Sequence, residues 1–256
     1  MGRFLGVKKL SGRRLLALTA ACAMFAPLAA CTSDSGDSNE VTVLTHGSFE
    51  LPQQLIDDFE QESGYRIKFI PSGDAGELSA LVSLTPGSPK GDAVFGIDNT
   101  FAARPIEVGA LESYVSPLAT RGADDYAVPD SDNELTAVDH GDVCINVDDA
   151  WYDREDRTAP QTLDDLRDPQ YQDQLVLLDP STSSPGMSFL LATIGKYGEG
   201  AKDYWKALLD NGAQIVSGWE IGYNQLFTAG EGHGTKPLVV SYASSPAATP
   251  GTSAIL

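Results

Sequence analysis

The stretch VTVLTHGSFELPQQLIDDFEQESGYRIKFIPSGDAGELSALVSLTPGSPKGDAVFGI, Val41 to Ile97, decides the fold. Val41-Thr42-Val43-Leu44-Thr45 is short and β-branched and reads as a strand. Leu55, Ile56 and Phe59 share one helix face, and Gly64 supplies the stop. Tyr65 to Ile70 is a second strand, and Leu78, Leu81 and Val82 mark a second helix. Ala93-Val94-Phe95-Gly96-Ile97 is a near-continuous apolar run, the pattern of a strand covered on both faces of a parallel sheet. Strand, helix, strand, helix, strand predicts a doubly wound α/β lobe spanning 41–137.

Beyond it, a Pro- and Asp-rich connection from Pro117 to Asp132 leads to Val138 through Val147, read as a hinge strand leaving that lobe. A second alternating series follows and predicts a second lobe within 138–256. Leu175-Val176-Leu177-Leu178 is a buried strand, and Met187 to Tyr197 and Ala201 to Leu209 are helices. Gln214-Ile215-Val216 is a short strand, Trp219 to Phe227 a helix and Leu238-Val239-Val240 a last strand.

Toward the N-terminus the chain reads as an export signal. Five cations (Arg3, Lys8, Lys9, Arg13, Arg14) precede an apolar run from Leu15 to Ala30, which is too short for a transmembrane helix of about 20 residues. Leu28-Ala29-Ala30-Cys31 resembles a bacterial lipobox, so 1–31 is expected to be a lipoprotein signal with Cys31 lipidated. The polar, acidic residues 32–40 form a tether. Removing five of the 17 basic residues and none of the 36 acidic ones leaves 12 against 36, a formal −24. Such a molecule is a poor partner for nucleic acid, and a cation is drawn to it. Cys144, within Val143-Cys144-Ile145, is then the one cysteine besides Cys31, which excludes a disulfide framework and reads as a buried, inert thiol.

Catalytic signatures are missing from the sequence: no Gly-x-Ser-x-Gly elbow, no Ser-x-x-Lys, no His-Glu-x-x-His and no phosphate loop. His46, His140 and His233 stand far apart, without Cys or acidic residues at ligand spacing. The chain is therefore not expected to be an enzyme, and no cofactor or metal is expected. Polar and aromatic residues gather instead at the carboxyl ends of predicted strands, where open α/β sheets bind ligands. Asp74, in Ser72-Gly73-Asp74-Ala75-Gly76, suits a helix cap or a ligand contact. Asp179-Pro180-Ser181-Thr182-Ser183-Ser184-Pro185-Gly186 opens a helix and suits either an ordinary cap or an anion such as a phosphate. Trp219 sits at a strand-to-helix turn with Tyr223 one turn on, and Tyr242 ends the last strand before Ala243-Ser244-Ser245-Pro246. Core packing is open to both aromatics; alternatively Trp219 and Tyr242 sandwich a flat ring, a cation on such a face being worth about 0.5–2 kcal/mol.

At these residues the chain resembles the thiamine-binding subunits of bacterial ABC importers. Six segments carry the likeness in order: Val41–Phe49, Asp92–Asn99, Asp139-His140-Gly141, Asp179–Gly186, Gly218-Trp219 with Tyr223, and Ser241–Pro246. The resemblance implies a type II periplasmic-binding-protein fold, two lobes joined by a hinge and closing on a ligand. It implies contacts from Asp74 and Ala75 in the first lobe and from Ser183, Ser184, Trp219, Tyr242, Ala243, Ser244, Ser245 and Pro246 in the second. The ligand would be thiamine, thiamine monophosphate or thiamine diphosphate. The partners would be a membrane permease and an ATPase, and the protein a monomer anchored by lipid on the outer face of the cell membrane. A Gly of the family is replaced by Ala75 and an aromatic by Ala248. A C-terminal third with another ring-stacking Trp is absent, so the first lobe is expected to be incomplete and the chain truncated. The iron binders of the wider group use a consecutive Tyr pair that is not seen here. The same fold holding another small ligand such as an iron chelate or polyamine, a lipid-anchored enzyme and a non-binding fragment are the other readings.

Overall fold

The computed structural model describes residues 39–129 and 131–255. The signal, Cys31 and most of the tether lie outside the described residues. Two sheets organise the chain. The first is parallel, in the order β2-β1-β3, from β1 (Glu40–Thr45), β2 (Arg66–Pro71) and β3 (Ala93–Phe95). Val43 of β1 pairs with Phe69 of β2 on one side and Ala93 of β3 on the other. Helix α1 (Gln53–Ser63) joins β1 to β2 and ends at Gly64, whose φ of 75° lets its N–H reach back to the Glu60 carbonyl. Helix α2 (Ala75–Leu84) joins β2 to β3 behind a capping box of Asp74 and Glu77. Its buried Ala75, Leu78, Ser79 and Val82 follow the helical period, and Leu44, Leu78 and Val82 form the small first core.

The second sheet has the order β6-β5-β7-β4-β8. Strands β5 (Leu175–Leu178), β6 (Gln214–Val216) and β7 (Leu238–Tyr242) run parallel to their neighbours among these three. Strands β4 (Val143–Asp148) and β8 (Thr252–Ile255) pair with each other, and β4 with β7, antiparallel. Every residue of β5 is buried, as its unbroken apolar run predicts. A large core gathers Ile145, Val147, Phe189, Tyr204, Leu208, Phe227 and Val239 around this sheet. The short helices α3 (Ala103–Glu107) and α4 (Asp149–Arg154) follow β3 and β4. Helix α5 (Ser184–Tyr197) follows β5 so tightly that a side chain at Gly186 would lie 2.5 Å from the Leu178 carbonyl oxygen. Helix α6 (Ala201–Asp210) leads on to β6.

Five expectations are corrected. Strand β7 is not the last: β8 follows it and pairs with β4. The run Ala93–Ile97 is not a strand covered on both faces: β3 holds three residues at the sheet's edge, Ala93 is exposed and Val94 and Phe95 are half-buried. The strand leaving the first lobe begins at Val143, and Val138 is 73 % exposed. Helix α5 opens at Ser184 because Pro185, lacking an N–H, fits its first turn. Residues Glu220–Leu226 form a π-helix, its wider turn closed by the Phe227 N–H on the Gly222 carbonyl at 3.1 Å.

Candidate functional site

The carboxyl ends of the parallel strands supply both walls of the candidate site. In the first lobe, His46 follows β1 directly. Its N–H donates to the Phe95 carbonyl (3.3 Å), and Nδ1 lies 3.1 Å from Ser48 Oγ. Gly96, at φ 109°, lets the imidazole lie against the backbone after β3, since a Cβ there would be 2.5 Å from its Cδ2. Burial lowers the proton affinity of His46 from its ordinary 6.5, while Asp74 and Asp139 pull the other way. After β3, Asp98 accepts from the Thr100 hydroxyl at 2.9 Å and from the Phe101 N–H at 3.2 Å. After β2, Asp74 Oδ1 accepts from the Ala75 N–H at 2.9 Å and the Asp74 N–H donates to Glu77 Oε2 at 3.0 Å.

In the second lobe, the loop after β5 is drawn in by Asp179, whose Oδ1 accepts from the Ser181 hydroxyl (2.7 Å) and N–H (2.8 Å). Those bonds hold its carboxyl below the usual range. Ser183 precedes α5, is fully buried, and its Oγ has no hydrogen-bond partner among the described residues. Ser184 is buried beside it. After β6 comes Trp219, whose ring stacks on Tyr223 with centroids 4.6 Å apart and planes at 11°. Its Nε1 donates to Ser241 Oγ at 2.8 Å, and Ser241 Oγ lies 2.9 Å from Ser245 Oγ. Tyr242 ends β7 with its carbonyl accepting from Asn146 Nδ2 at 3.0 Å. Burial, and then Asp74, Asp98 and Asp139, push its phenol above the ordinary tyrosine range. Ala243 and Ser244 are exposed, and Ser245 and Pro246 are half-buried.

The two walls touch. Asp74 Oδ2 accepts from the Trp219 N–H at 3.0 Å, and the Gly76 N–H donates to the Thr182 carbonyl at 2.8 Å. Asp74, Trp219, Ser241 and Ser245 are thus one hydrogen-bonded chain, and Asp74 caps α2 while reaching across. Tyr223 occupies one face of Trp219, so the stacked pair within the structure is Trp219–Tyr223. Ser183 and Ser184 stand apart from this chain, at the start of α5.

Sequence reasoning missed two carboxylates around Tyr242, Asp98 and Asp139, and the His46 imidazole that also feels Asp139. Asp98 and His46 follow strands and were open to the same rule that picked Asp74; Asp139, in the exposed connection, carried no local signal. Two open hollows lie beside these groups. One, of about 470 Å³, is lined by Leu118, Arg121, Tyr126, Val138, Asp139 and His140. Another, of about 350 Å³, is lined by Asp142, Val143, Cys144, Ala243 and Ala254. Neither takes in Asp74, Ser183 or Trp219, where the strand ends converge. Among the described residues, no group of three or more His, Cys, Asp or Glu is placed to hold a metal, and no helix is long and apolar enough to cross a membrane.

Comparison with known proteins bears on this arrangement. The family of bacterial extracellular solute-binding proteins matches residues 89–248. The chain belongs to that family. This solute-binding protein is 28% identical over 218 residues to the thiamine-binding periplasmic protein of Brucella abortus, covering 82% of the chain and 60% of the relative. To that of Escherichia coli it is 29% identical over 224 residues, covering 85% and 64%. The chain therefore spans about three-fifths of the length of these curated relatives. Among solved structures, a periplasmic thiamin binding protein aligns with a TM-score of 0.63 at 24% identity, covering 84% of this chain and 67% of the other. The periplasmic binding protein AfuA of Actinobacillus pleuropneumoniae aligns at 0.72 and 19% identity, covering 84% and 68%. The fold of this solute-binding protein is the two-lobed, type II periplasmic-binding-protein α/β fold.

Proposed function

We propose that the protein is the extracytoplasmic solute-binding subunit of an ABC importer and that it captures thiamine or a thiamine phosphate between its lobes, 41–137 and 138–256. One observation carries the reading: Trp219 is held at the meeting of the two walls, its amide on Asp74 and one ring face on Tyr223, and in this reading a flat ring lies against its other face. The carboxylates of Asp74, Asp98 and Asp139, all felt by Tyr242, give that place the sign a cationic ring system requires. The names of the relatives support the same ligand.

In this reading Asp74 attracts the cationic or amino part, and Trp219 and Tyr242 flank the rings. Ser183, Ser184 and the start of α5 take the hydroxyethyl or phosphate end. The unpartnered Ser183 Oγ supports that last role, because a buried hydroxyl costs free energy until a ligand oxygen or donor meets it. Ala75, Ala243, Ser244, Ser245 and Pro246 line the remaining rim. The partners are a permease and an ATPase. A lipid at Cys31 holds the monomeric protein on the outer face of the cell membrane.

Calorimetric titration of the chain from Thr32 onward with thiamine, its mono- and diphosphate and spermidine tests the proposal. Submicromolar binding of a thiamine species corresponds to more than about 8 kcal/mol. It is expected to be lost in Trp219→Ala, which removes the ring platform. Tight spermidine binding with none for thiamine would transfer the site to polyamines.

A further inference from the structure

The contact between the lobes is shaped for close approach on both sides. At Gly76, in the first turn of α2, a Cβ would lie 2.6 Å from the Ser181 carbonyl oxygen and 2.8 Å from the Thr182 Cα, backbone atoms of the opposite lobe that move only if the two walls part. At Gly218 a Cβ would lie 3.0 Å from Asp74 Oδ2 and 3.3 Å from Asp74 Cβ. Neither glycine is demanded by a left-handed backbone, since the positive-φ glycines lie elsewhere. Their smallness serves the approach itself. Between them run the two cross-lobe bonds, Trp219 N–H to Asp74 Oδ2 (3.0 Å) and Gly76 N–H to the Thr182 carbonyl (2.8 Å). The Thr182 hydroxyl donates to the Ser217 carbonyl, tying the loops after β5 and β6 into one receiving surface. On the other side the capping box fixes the Asp74 carboxylate before it reaches across.

We propose that the start of α2 is a clasp that closes the two lobes on each other through protein atoms alone, with Gly76 and Gly218 as its paired notches. The clasp needs no ligand to complete it, and the ligand enters a cleft already shut at one end. Asp74 thereby has a mechanical role, holding the Trp219 backbone, distinct from the attraction of a cation by its charge. Trp219 is presented to a ligand only while the clasp is made.

Hydrogen exchange on the whole chain, with no vitamin added, tests the clasp. Gly76→Ala places a better helix former in α2, so loss of that helix is not the expected effect. It forces Ser181 and Thr182 away. The amides at positions 76 and 219 are expected to exchange about tenfold faster or more, while those of β5 and β7 keep their rates. Gly218→Ala pushes the Asp74 carboxylate aside without removing its charge and is expected to release position 219. If β5 and β7 also lose protection in the first variant, the second decides by the same criterion. The clasp is overturned if the amide at 219 exchanges like a free amide in the unaltered chain, or if both variants leave it protected. Because no ligand takes part, failure of the thiamine reading leaves this result standing.

Discussion

Cys144 faces Ser241 across β4 and β7 and is 4 % exposed. Burial pushes its thiol up to about 11. The thiolate is the reactive form, and at pH 8 it makes up on the order of one part in a thousand of such a group. In a chain beginning at Thr32, where Cys144 is the one thiol, iodoacetamide at pH 8 is expected to leave the folded protein unmodified over a time that fully alkylates it in urea. Labelling at the rate of a free thiol, followed by mass spectrometry, would show that β4 is open. The inertness of Cys144 was legible in sequence because it depends on its own apolar neighbours, Val143 and Ile145. The gathering of Asp98 and Asp139 around Tyr242 was not, because it depends on which loops the fold turns toward each other. Asp74 shows both sides of that limit: its cap is written in the Asp-x-x-Glu spacing, whereas its bond to Trp219 spans residues far apart in the chain.

Among the elements, those read well are those whose period and burial agree. Strand β5 is apolar throughout and buried throughout; α2 buries residues at the helical period. Those misread are where context overrides a local pattern. Strand β3 has the composition of a central strand but lies at an edge, and the segment after Trp219 has a helical pattern that widens into a π-helix. Gly222 explains part of the latter, since a Cβ there would lie 2.5 Å from Leu178 Cδ2, so this turn packs directly on β5. The start of α5 allows a quantitative test. Gly186→Ala gains about 0.8–1 kcal/mol in helix propensity. It also drives a Cβ to 2.5 Å from the Leu178 carbonyl oxygen and 2.9 Å from that of Asp179, an overpacking that costs about 1–3 kcal/mol or more. With three backbone atoms within 2.9 Å the clash lies at the upper end of that range, so a net loss of about 2 kcal/mol is expected in thermal or urea unfolding. An unchanged or raised midpoint would mean that α5 moves away from β5 freely, and the phosphate-end role proposed for Ser183 would lose its fixed geometry.

At the scale of the molecule, the two lobes are unequally packed. The second surrounds its sheet with a core that includes Phe227, Tyr204, Leu177 and Val240, while the first has Leu44, Leu78 and Val82. No residue of α1 is buried, and Leu55 and Phe59 remain 55% and 43% exposed. Around those three, Ile70, Leu81, Val94, Ile97, Ala110 and Leu111 are only partly buried. Burying less apolar surface, the first lobe lies at the low end of the molecule's stability and leans on its contacts with the second. Native-state hydrogen exchange is expected to show amides of β1 and β2 opening at lower free energy than those of β5 and β7. Leu78→Ala, which empties the centre of the small core at a cost of about 2–5 kcal/mol, should speed exchange across β1 and β2 and leave β5 and β7 unchanged. Equal protection in both sheets, or a uniform effect of the substitution, would make the lobes one cooperative unit. A ligand held between the lobes acts on the same equilibrium: at a concentration of about 100 Kd it adds about 2.7 kcal/mol to every opening that breaks the cleft. Binding is therefore expected to protect β1 and β2 far more than β5 and β7, because the less stable lobe is the one whose opening the ligand suppresses.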